Sequence, residues 1–340
     1  MMKKNDKILL GHGSGGRLSH ELIRDLFVKH FSNPTLIKQS DAALLQLGST
    51  HVAMTTDAFV VDPLFFPGGN IGNLAIAGTV NDLSVSGAIP RYLSASFIIE
   101  EGLPFEALEQ VVITMAEEAR KASVEIVTGD TKVVDRGKCD KLFINTTGIG
   151  EIRAGAGNIA SGDLIKAGDK ILVNGFIGDH GMAVMSARNQ LHIKAPVESD
   201  CACLNGLIDH VFNATGEVHF MRDATRGGVG TVMAEIVASR PWGIQLFEAE
   251  IPIRQAVRGI CELLGFDPLY VANEGKVVMV VDGAFADKVL QQLKSHPLGQ
   301  DAAIIGEVVE RHPGKTWLQT SIGGNRIVDM PAGEQLPRIC

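Results

Sequence analysis

The tightest constraint on the fold is a pair of strand-like runs placed back to back. Residues 42–47 and 51–56 read as strands, and Gly48, Ser49 and Thr50 join them over a span that suits a hairpin. A hairpin pairs its strands antiparallel, so the sheet that holds it is at least partly antiparallel. Further strands are expected at 90–99, 124–127 and 142–149. Pro67-Gly68-Gly69-Asn70 starts a long helix carrying Leu74, Ile76, Ala77, Val80, Leu83 and Val85, and 104–122 reads as a second helix with proline in its first turn. The stretch 153–168 turns to Gly, Ala, Ser and Asp, the composition of a linker or surface loop. Beyond it, strands at 170–174, 244–247, 277–281 and 303–309 alternate with helices at 182–187, 203–212, 229–238, 253–264 and 285–295. A chain of 340 residues suits two domains. The expected organisation is an α/β fold with mixed sheets: a glycine-rich segment and helix over 1–40, a first domain over 41–155, a second over 165–330 and a tail over 331–340.

Several partner classes fall away on composition. The net charge is −8 with acids and bases interspersed, so no basic stripe recommends a nucleic acid. No run of about 18 apolar residues marks a membrane span, and the N-terminus has no apolar core of a signal peptide. Five cysteines, Cys139, Cys201, Cys203, Cys261 and Cys340, with no CxxC pair, read as reduced thiols of a cytoplasmic protein. Cys201-Ala202-Cys203 reads as helix packing rather than a redox pair.

Four carboxylates stand out because each lies at an element boundary or among small residues: Asp41, Asp57, Asp82 and Asp223. Taken singly, such residues cap helices or start turns. Converging without matching lysines they need a hard cation, and Mg2+ beside substrate phosphates is the usual answer. Asn81-Asp82 interrupts an otherwise small and apolar helix, which is costly unless the carboxylate has a cation or hydrogen-bond partners. The run Gly11 to Gly16 before a helical stripe is a lid or a plain turn; it lacks the lysine and spacing of a P-loop. His12 and His180, each beside glycine, either stabilise their turns or move protons. Arg226-Gly227-Gly228 at a helix start binds a phosphate or pairs with an acid. At the other end Pro331, Ala332, Gly333 and Pro337 disfavour regular structure, so the chain closes in a mobile arm with the Cys340 thiol at its tip, reaching up to about 30 Å.

The set Gly13-Ser14-Gly15-Gly16, Ser40-Asp41-Ala42-Ala43, Thr55-Thr56-Asp57, Asn81-Asp82-Leu83-Ser84, Thr128-Gly129-Asp130-Thr131-Lys132 and Asp223-Ala224-Thr225-Arg226-Gly227-Gly228 resembles the aminoimidazole-ribonucleotide-synthetase-related ATP-binding superfamily, which includes selenophosphate synthetase and thiamine-monophosphate kinase. Within it, Pro63 to Gly72, Ala272 to Lys276, His296 to Gly299 and the ending Pro337-Arg338-Ile339-Cys340 are similar to the carbamoyl dehydratases of hydrogenase maturation. The resemblance implies a homodimer whose N-terminal sheets pack into a barrel, with ATP and Mg2+ in a cleft near that interface. It implies that Cys340 accepts a carbamoyl group from the HypF carbamoyltransferase. The group is then dehydrated with ATP to a thiocyanate, and the cyanide passes to iron on the HypC–HypD scaffold for [NiFe]-hydrogenase.

Carried onto this sequence, the resemblance makes Cys340, Lys132 and Glu274 catalytic, Gly13, Ser14, Gly15, Asn81, Asp130, Thr131 and Arg226 nucleotide-binding, and Asp41, Asp57, Asp82 and Asp223 metal ligands. Plainer roles stand beside two of these: Lys132 as a surface lysine at a strand end and Glu274 as a helix-capping acid. Two other functions compete: a small-molecule phosphotransferase of the same superfamily with a passive tail, and a non-catalytic scaffold that holds a partner through Cys340.

Overall fold

The computed structural model describes residues 8, 9, 12, 16–31, 33–188, 197–331, 336, 339 and 340. Helix α1 (Arg17–Leu22) runs through a π-helical stretch (Ile23–Val28) into the short α2 (Lys29–Phe31). The hairpin follows as β1 (Ala43–Leu47) and β2 (Thr50–Phe59), with Ala43 opposite Met54 and Leu47 opposite Thr50. A two-residue ladder, β3 (Phe65–Phe66) with β4 (Gly69–Asn70), leads into α3 (Ile71–Val85), β5 (Ala88–Glu100), α4 (Phe105–Lys121), β6 (Glu125–Val134) and β7 (Leu142–Ile152). The first sheet has the order β1-β2-β7-β5-β6 and is antiparallel except for β5 and β6, which α4 joins as a parallel crossover.

Helix α3 is the pivot of this half. Asn70 and Asn73 form a reciprocal cap: the Asn70 side chain accepts from the Gly72 amide and the Asn73 side chain from the Asn70 amide, both at 2.7 Å. Every residue of α3 but Asp82 is buried, as expected of a helix apolar on all faces. Gly78 lets it lie close on β2, where a Cβ would stand 2.9 Å from the Phe59 ring. The opposite face of the sheet is exposed and apolar. Met54, Ile149 and Tyr92, in register across β2, β7 and β5, are 41%, 41% and 51% exposed.

The second half comprises β8 (Lys170–Val173), α5 (Asp179–Ala187), α6 (Asn205–Ala214), β9 (Val218–Asp223), α7 (Gly228–Val237), β10 (Gly243–Phe247), α8 (Gln255–Leu264), β11 (Val277–Val281), α9 (Ala286–Ser295), β12 (Ala303–Val309), β13 (Thr316–Gln319) and β14 (Asn325–Val328). Its sheet has the order β14-β13-β10-β12-β8-β11-β9. Phe220, Met233 and Ile244 lie in the core on one face, and Leu207, Met279 and Leu293 in the core on the other.

Three local expectations change. Thr128 to Lys132 lie inside β6 rather than at a strand end. Val218 to Asp223 form a strand instead of leading straight into a helix, because pairing with β11 outweighs the weak local signal. Cys201 and Cys203 sit in the extended segment before α6, half-buried, where burial pushes the Cys203 thiol up to about 12.

The tail also differs from a loose arm. Leu336 and Ile339 are 8% and 3% exposed and pack in the core that includes Val61, Phe66, Met182 and Val271. Two such side chains contribute about 1.5–3 kcal/mol each before the cost of ordering the chain is subtracted, so the docking is reversible in scale.

Asn81 joins the halves. Its side-chain N–H groups donate to the carbonyls of Ala202 (3.1 Å) and Glu274 (3.3 Å), and its oxygen accepts from the Leu204 amide at 2.7 Å. Asn81→Ala removes three hydrogen bonds across the seam, of which only the one to the Glu274 carbonyl is backed by another donor, the Ala202 amide, and is expected to cost about 2–4 kcal/mol. Urea unfolding followed through Trp242 and Trp317 measures it; an unchanged midpoint would show that the clamp is dispensable.

Candidate active site at the seam between the sheets

Four elements bring the acids together. Asp57 follows Thr55 on the inner face of β2, Asp82 projects from α3, Asp223 ends β9 and Asp41 precedes β1. Gly78 lies one helical turn before Asp82, and a Cβ there would stand 3.7 Å from Asp57 Oδ2, which places that carboxylate against the same face of α3. Thr55 Oγ1 lies 2.7 Å from Asp82 Oδ2, to which it donates, and 2.9 Å from the Asp41 carbonyl. Asp57 and Asp82 lie close enough for each to act on the ionisation of the other.

Electrostatics shows the convergence. Burial first, then the charges of Asp57, Asp223 and Asp41, push Asp82 well above the usual carboxylate range. Burial likewise raises Asp57, against the pull of Arg226. Asp223 rises to about 8 through burial and then the fields of Asp41 and Asp57. Among the described residues no three His, Cys, Asp or Glu side chains already form a closed metal cage. The acids act on one another through their fields without closing on a common point, and a cation brought among them would offset the repulsion and burial that raise their pKa values.

Glu274 sits at the same place. It is 3% exposed, and its Oε1 has no hydrogen-bond partner among the described residues. Burial, followed by the fields of Asp223 and Asp200, raises it well above its ordinary value. Its loop is tightly fixed. The Glu274 and Gly275 amides each donate to the Asp200 carboxylate at 3.2 Å, and Lys276 Nζ pairs with Asp200 Oδ2 at 2.9 Å. Glycine is required next to it, since a Cβ on Gly275 would fall 1.9 Å from the Asp200 carbonyl oxygen.

The end of the chain reaches this cluster. The field of Cys340 is the largest influence raising the pKa of Arg226, and Asp57, Glu274 and Asp82 act on the same guanidinium. The Val60 amide donates to the Cys340 carbonyl at 3.2 Å. His180, fully buried in α5, holds the preceding residue: Nε2 lies 2.9 Å from the Ile339 carbonyl and Nδ1 2.8 Å from Ser199 Oγ. Burial lowers the His180 pKa, so the neutral ring donates from Nε2 and accepts from the serine hydroxyl. His180 thus fastens the tail, a role outside the two that its sequence neighbours suggested. His12 keeps a local turn, accepting from the Leu9 amide at 3.0 Å.

Other anticipated residues lie elsewhere. Asn81, expected at the nucleotide, is engaged in the clamp described above. Asp57, Thr146, Ala95 and Gly129 form one row across β2, β7, β5 and β6, which puts β6 roughly 14 Å from Asp57 at the usual strand spacing. Asp130 and Lys132 flank that row and alternate to the outer, exposed face. They face each other at 3.8 Å as a solvated pair, with side chains 66% and 73% exposed. Within one chain, neither these two nor Thr131 joins the acid cluster. Gly13, Ser14 and Gly15 lie outside the described residues.

The raised Asp223 value makes a signed prediction. Between the ordinary 3.8 and about 8 the folded chain holds a proton that the unfolded chain has lost. Stability in cation-free buffer should therefore fall as pH rises from 6 towards 8. Asp223→Asn should flatten that fall, as read from urea midpoints at each pH in EDTA; identical slopes in the two proteins would remove Asp223 from the cluster.

The domain models named AIR synthase related protein match the chain, the N-terminal domain at residues 39–152 and the C-terminal domain at 166–318. A relative from Escherichia coli (strain K12) named carbamoyl dehydratase HypE is 53% identical, over 98% of this chain and 100% of its own. A crystal structure of a HypE–HypF complex superposes with a TM-score of 0.85 at 48% identity, covering 91% of this chain and 99% of that one. A structure of HypE in complex with ATP gives 0.81 at 48% identity, covering 98% and 100%. The acid-lined seam with the chain terminus docked in it thus belongs to a member of the AIR synthase related family, in its HypE carbamoyl dehydratase branch.

Proposed function

We propose that the protein carries a carbamoyl group on the Cys340 sulfur and dehydrates it with ATP to a thiocyanate, supplying cyanide for the iron of [NiFe]-hydrogenase. The observation that carries this reading is the docking of the final residue where Arg226, Glu274 and the four acids meet. It is an ATP-dependent carbamoyl dehydratase of hydrogenase maturation.

The chemistry follows from the group to be removed. An amide oxygen leaves poorly as hydroxide. Its imidate form attacks the γ-phosphorus of ATP, making a carbon–oxygen–phosphorus link and releasing ADP. Loss of the nitrogen proton with cleavage of the carbon–oxygen bond then gives the nitrile and phosphate. Glu274 Oε1 is suited to take that proton, because burial strengthens the carboxylate as a base. Arg226 beside Cys340 is suited to bind the anionic oxygens. His180 and the Val60 amide hold the tail backbone while the sulfur-bound group reacts.

The donor set also fits a magnesium ion. Four carboxylates are close enough to raise one another's pKa values, and Mg2+ takes few protein oxygens and keeps several waters, so it needs no closed cage of ligands. Asp41, Asp57, Asp82 and Asp223 would hold it, and when bound it neutralises charge on the phosphoryl group being transferred.

The exposed Met54–Ile149–Tyr92 row suits packing against a second copy, in a homodimer whose two sheets close into a barrel. Asp130, Thr131 and Lys132 then lie at that interface, where they would meet nucleotide phosphates. Among the described residues of the tail, two apolar side chains and two backbone hydrogen bonds hold it, a scale of anchorage from which it can leave to be loaded by HypF and to deliver cyanide to HypC–HypD. Among the described residues no helix is long and apolar enough to cross a membrane, and unpaired thiols at Cys139, Cys201, Cys203 and Cys261 suit the cytoplasm.

Intact-mass measurement after incubation with HypF, carbamoyl phosphate and ATP should find a carbamoyl adduct on Cys340 that loses one water only with hydrolysable ATP. Glu274→Gln should keep the adduct and slow the water loss by roughly 100-fold or more. An unmodified tail under conditions that support hydrogenase maturation would sink the reading. Ile149→Asp is expected to convert the dimer to monomer in light scattering behind size exclusion; an unaltered mass would place the dimer contact elsewhere.

A further inference from the structure

Arg222 stands behind the acid cluster and forks in two directions. Its Nε donates to Asp41 Oδ2 at 3.0 Å and its Nη1 to Glu235 Oε2 at 2.7 Å. The other oxygen of Glu235 lies 2.8 Å from His20 Nε2 on α1. Three charged or polar links thus connect Asp41 to helix α1 by way of two residues of the second half.

That helix has little to hold it by itself. The α-helical part of α1 is six residues long, its N-cap is Gly16, and no side chain caps it among the described residues. Its uncapped first turn, ahead of the π-helical stretch, depends on tertiary anchors. One is His20 on Glu235. Another is at its start, where the Arg17 amide donates to the Pro331 carbonyl at 3.2 Å. Gly16 lies so close that a Cβ would stand 2.8 Å from the same oxygen. Pro331 is the residue from which the tail departs. A cleft of about 450 Å3 lined by His20, Lys38, Arg222, Glu235 and Arg240 gives the pair room to shift.

We infer that Arg222, Glu235 and His20 are positioning residues that tie the placement of Asp41 to α1 and, through Pro331, to the base of the tail. Arg222 neutralises Asp41 in the cation-free cluster, and Glu235 retains the guanidinium when a cation takes over that carboxylate. The shift at Arg222 then reaches α1 through His20. Occupation of the acid cluster and the seating of the tail become mechanically linked. The inference rests on the reading of the four acids as a magnesium site.

The test measures, on the full-length protein, the magnesium concentration that half-saturates binding of a non-hydrolysable ATP analogue, together with hydrogen exchange over α1. In wild type, magnesium with the analogue should slow exchange in α1. Glu235→Gln should raise the magnesium requirement about ten-fold, in line with other second-layer ligand partners. It should leave analogue binding in EDTA unchanged and abolish the exchange response. His20→Ala should keep the magnesium requirement and lose the exchange response alone, a split that general destabilisation would not produce. Should Glu235→Gln fail to fold, Glu235→Asp, which keeps the charge on a shorter arm, carries the same comparison. A wild-type magnesium dependence that the Glu235 variant leaves unaltered overturns this inference and spares the magnesium site. Wild-type binding with no magnesium dependence overturns both.

Discussion

Asp82 sets the terms for the rest of the molecule, since it is an ionisable carboxylate on a helix that is otherwise buried on every face. Isolating such a charge in the interior costs several kcal/mol even after relaxation. The protein answers with the Thr55 hydroxyl, which donates to Asp82, and with arginines placed around the cluster rather than within it. None of these fully compensates four acids in one cleft. The result is a pocket with an unmet demand for positive charge, preorganised for a ligand that brings it.

The residue before Asp82 does the complementary structural work. Asn81 reaches across the seam to three backbone groups of the second half, so the position of α3 and that of the 202–204 and 274 segments are set together. Neighbouring side chains on one helical turn therefore join the two halves and place a carboxylate in the acid cluster. The tail enters the same seam, with Ile339 against the shared core and its carbonyl on His180. The last residue is held beside it, its main-chain oxygen accepting from the Val60 amide and its field acting on Arg226.

Much of this was legible locally. The hairpin, the crossover helix α4 and the buried helix α3 follow from alternation, turn residues and caps acting within a few positions. The four aspartates stood out because a charge among glycines and alanines has no local reason to be there. Strand β9 was missed because its six residues lead straight into a glycine-rich turn, and only pairing with β11 makes them a strand. Lys132 was legible as a strand lysine, yet the face it occupies depends on the register of β6 against β5.

By itself, the sequence determined most of the helices and strands, though not β9, β13 or β14, and that the first sheet is at least partly antiparallel, and it placed a cysteine beyond two prolines. Those properties are carried by side-chain period and backbone stereochemistry, which act between near neighbours. Only the tertiary structure decided that His180 holds the tail, that Asn81 clamps the halves, and that Arg222 and Glu235 back Asp41. Each of these depends on a pairing across more than a hundred residues or on a shared partner such as Arg222. A hydrogen bond of that kind leaves no trace in local pattern, because its geometry exists only once both sheets have closed on α3.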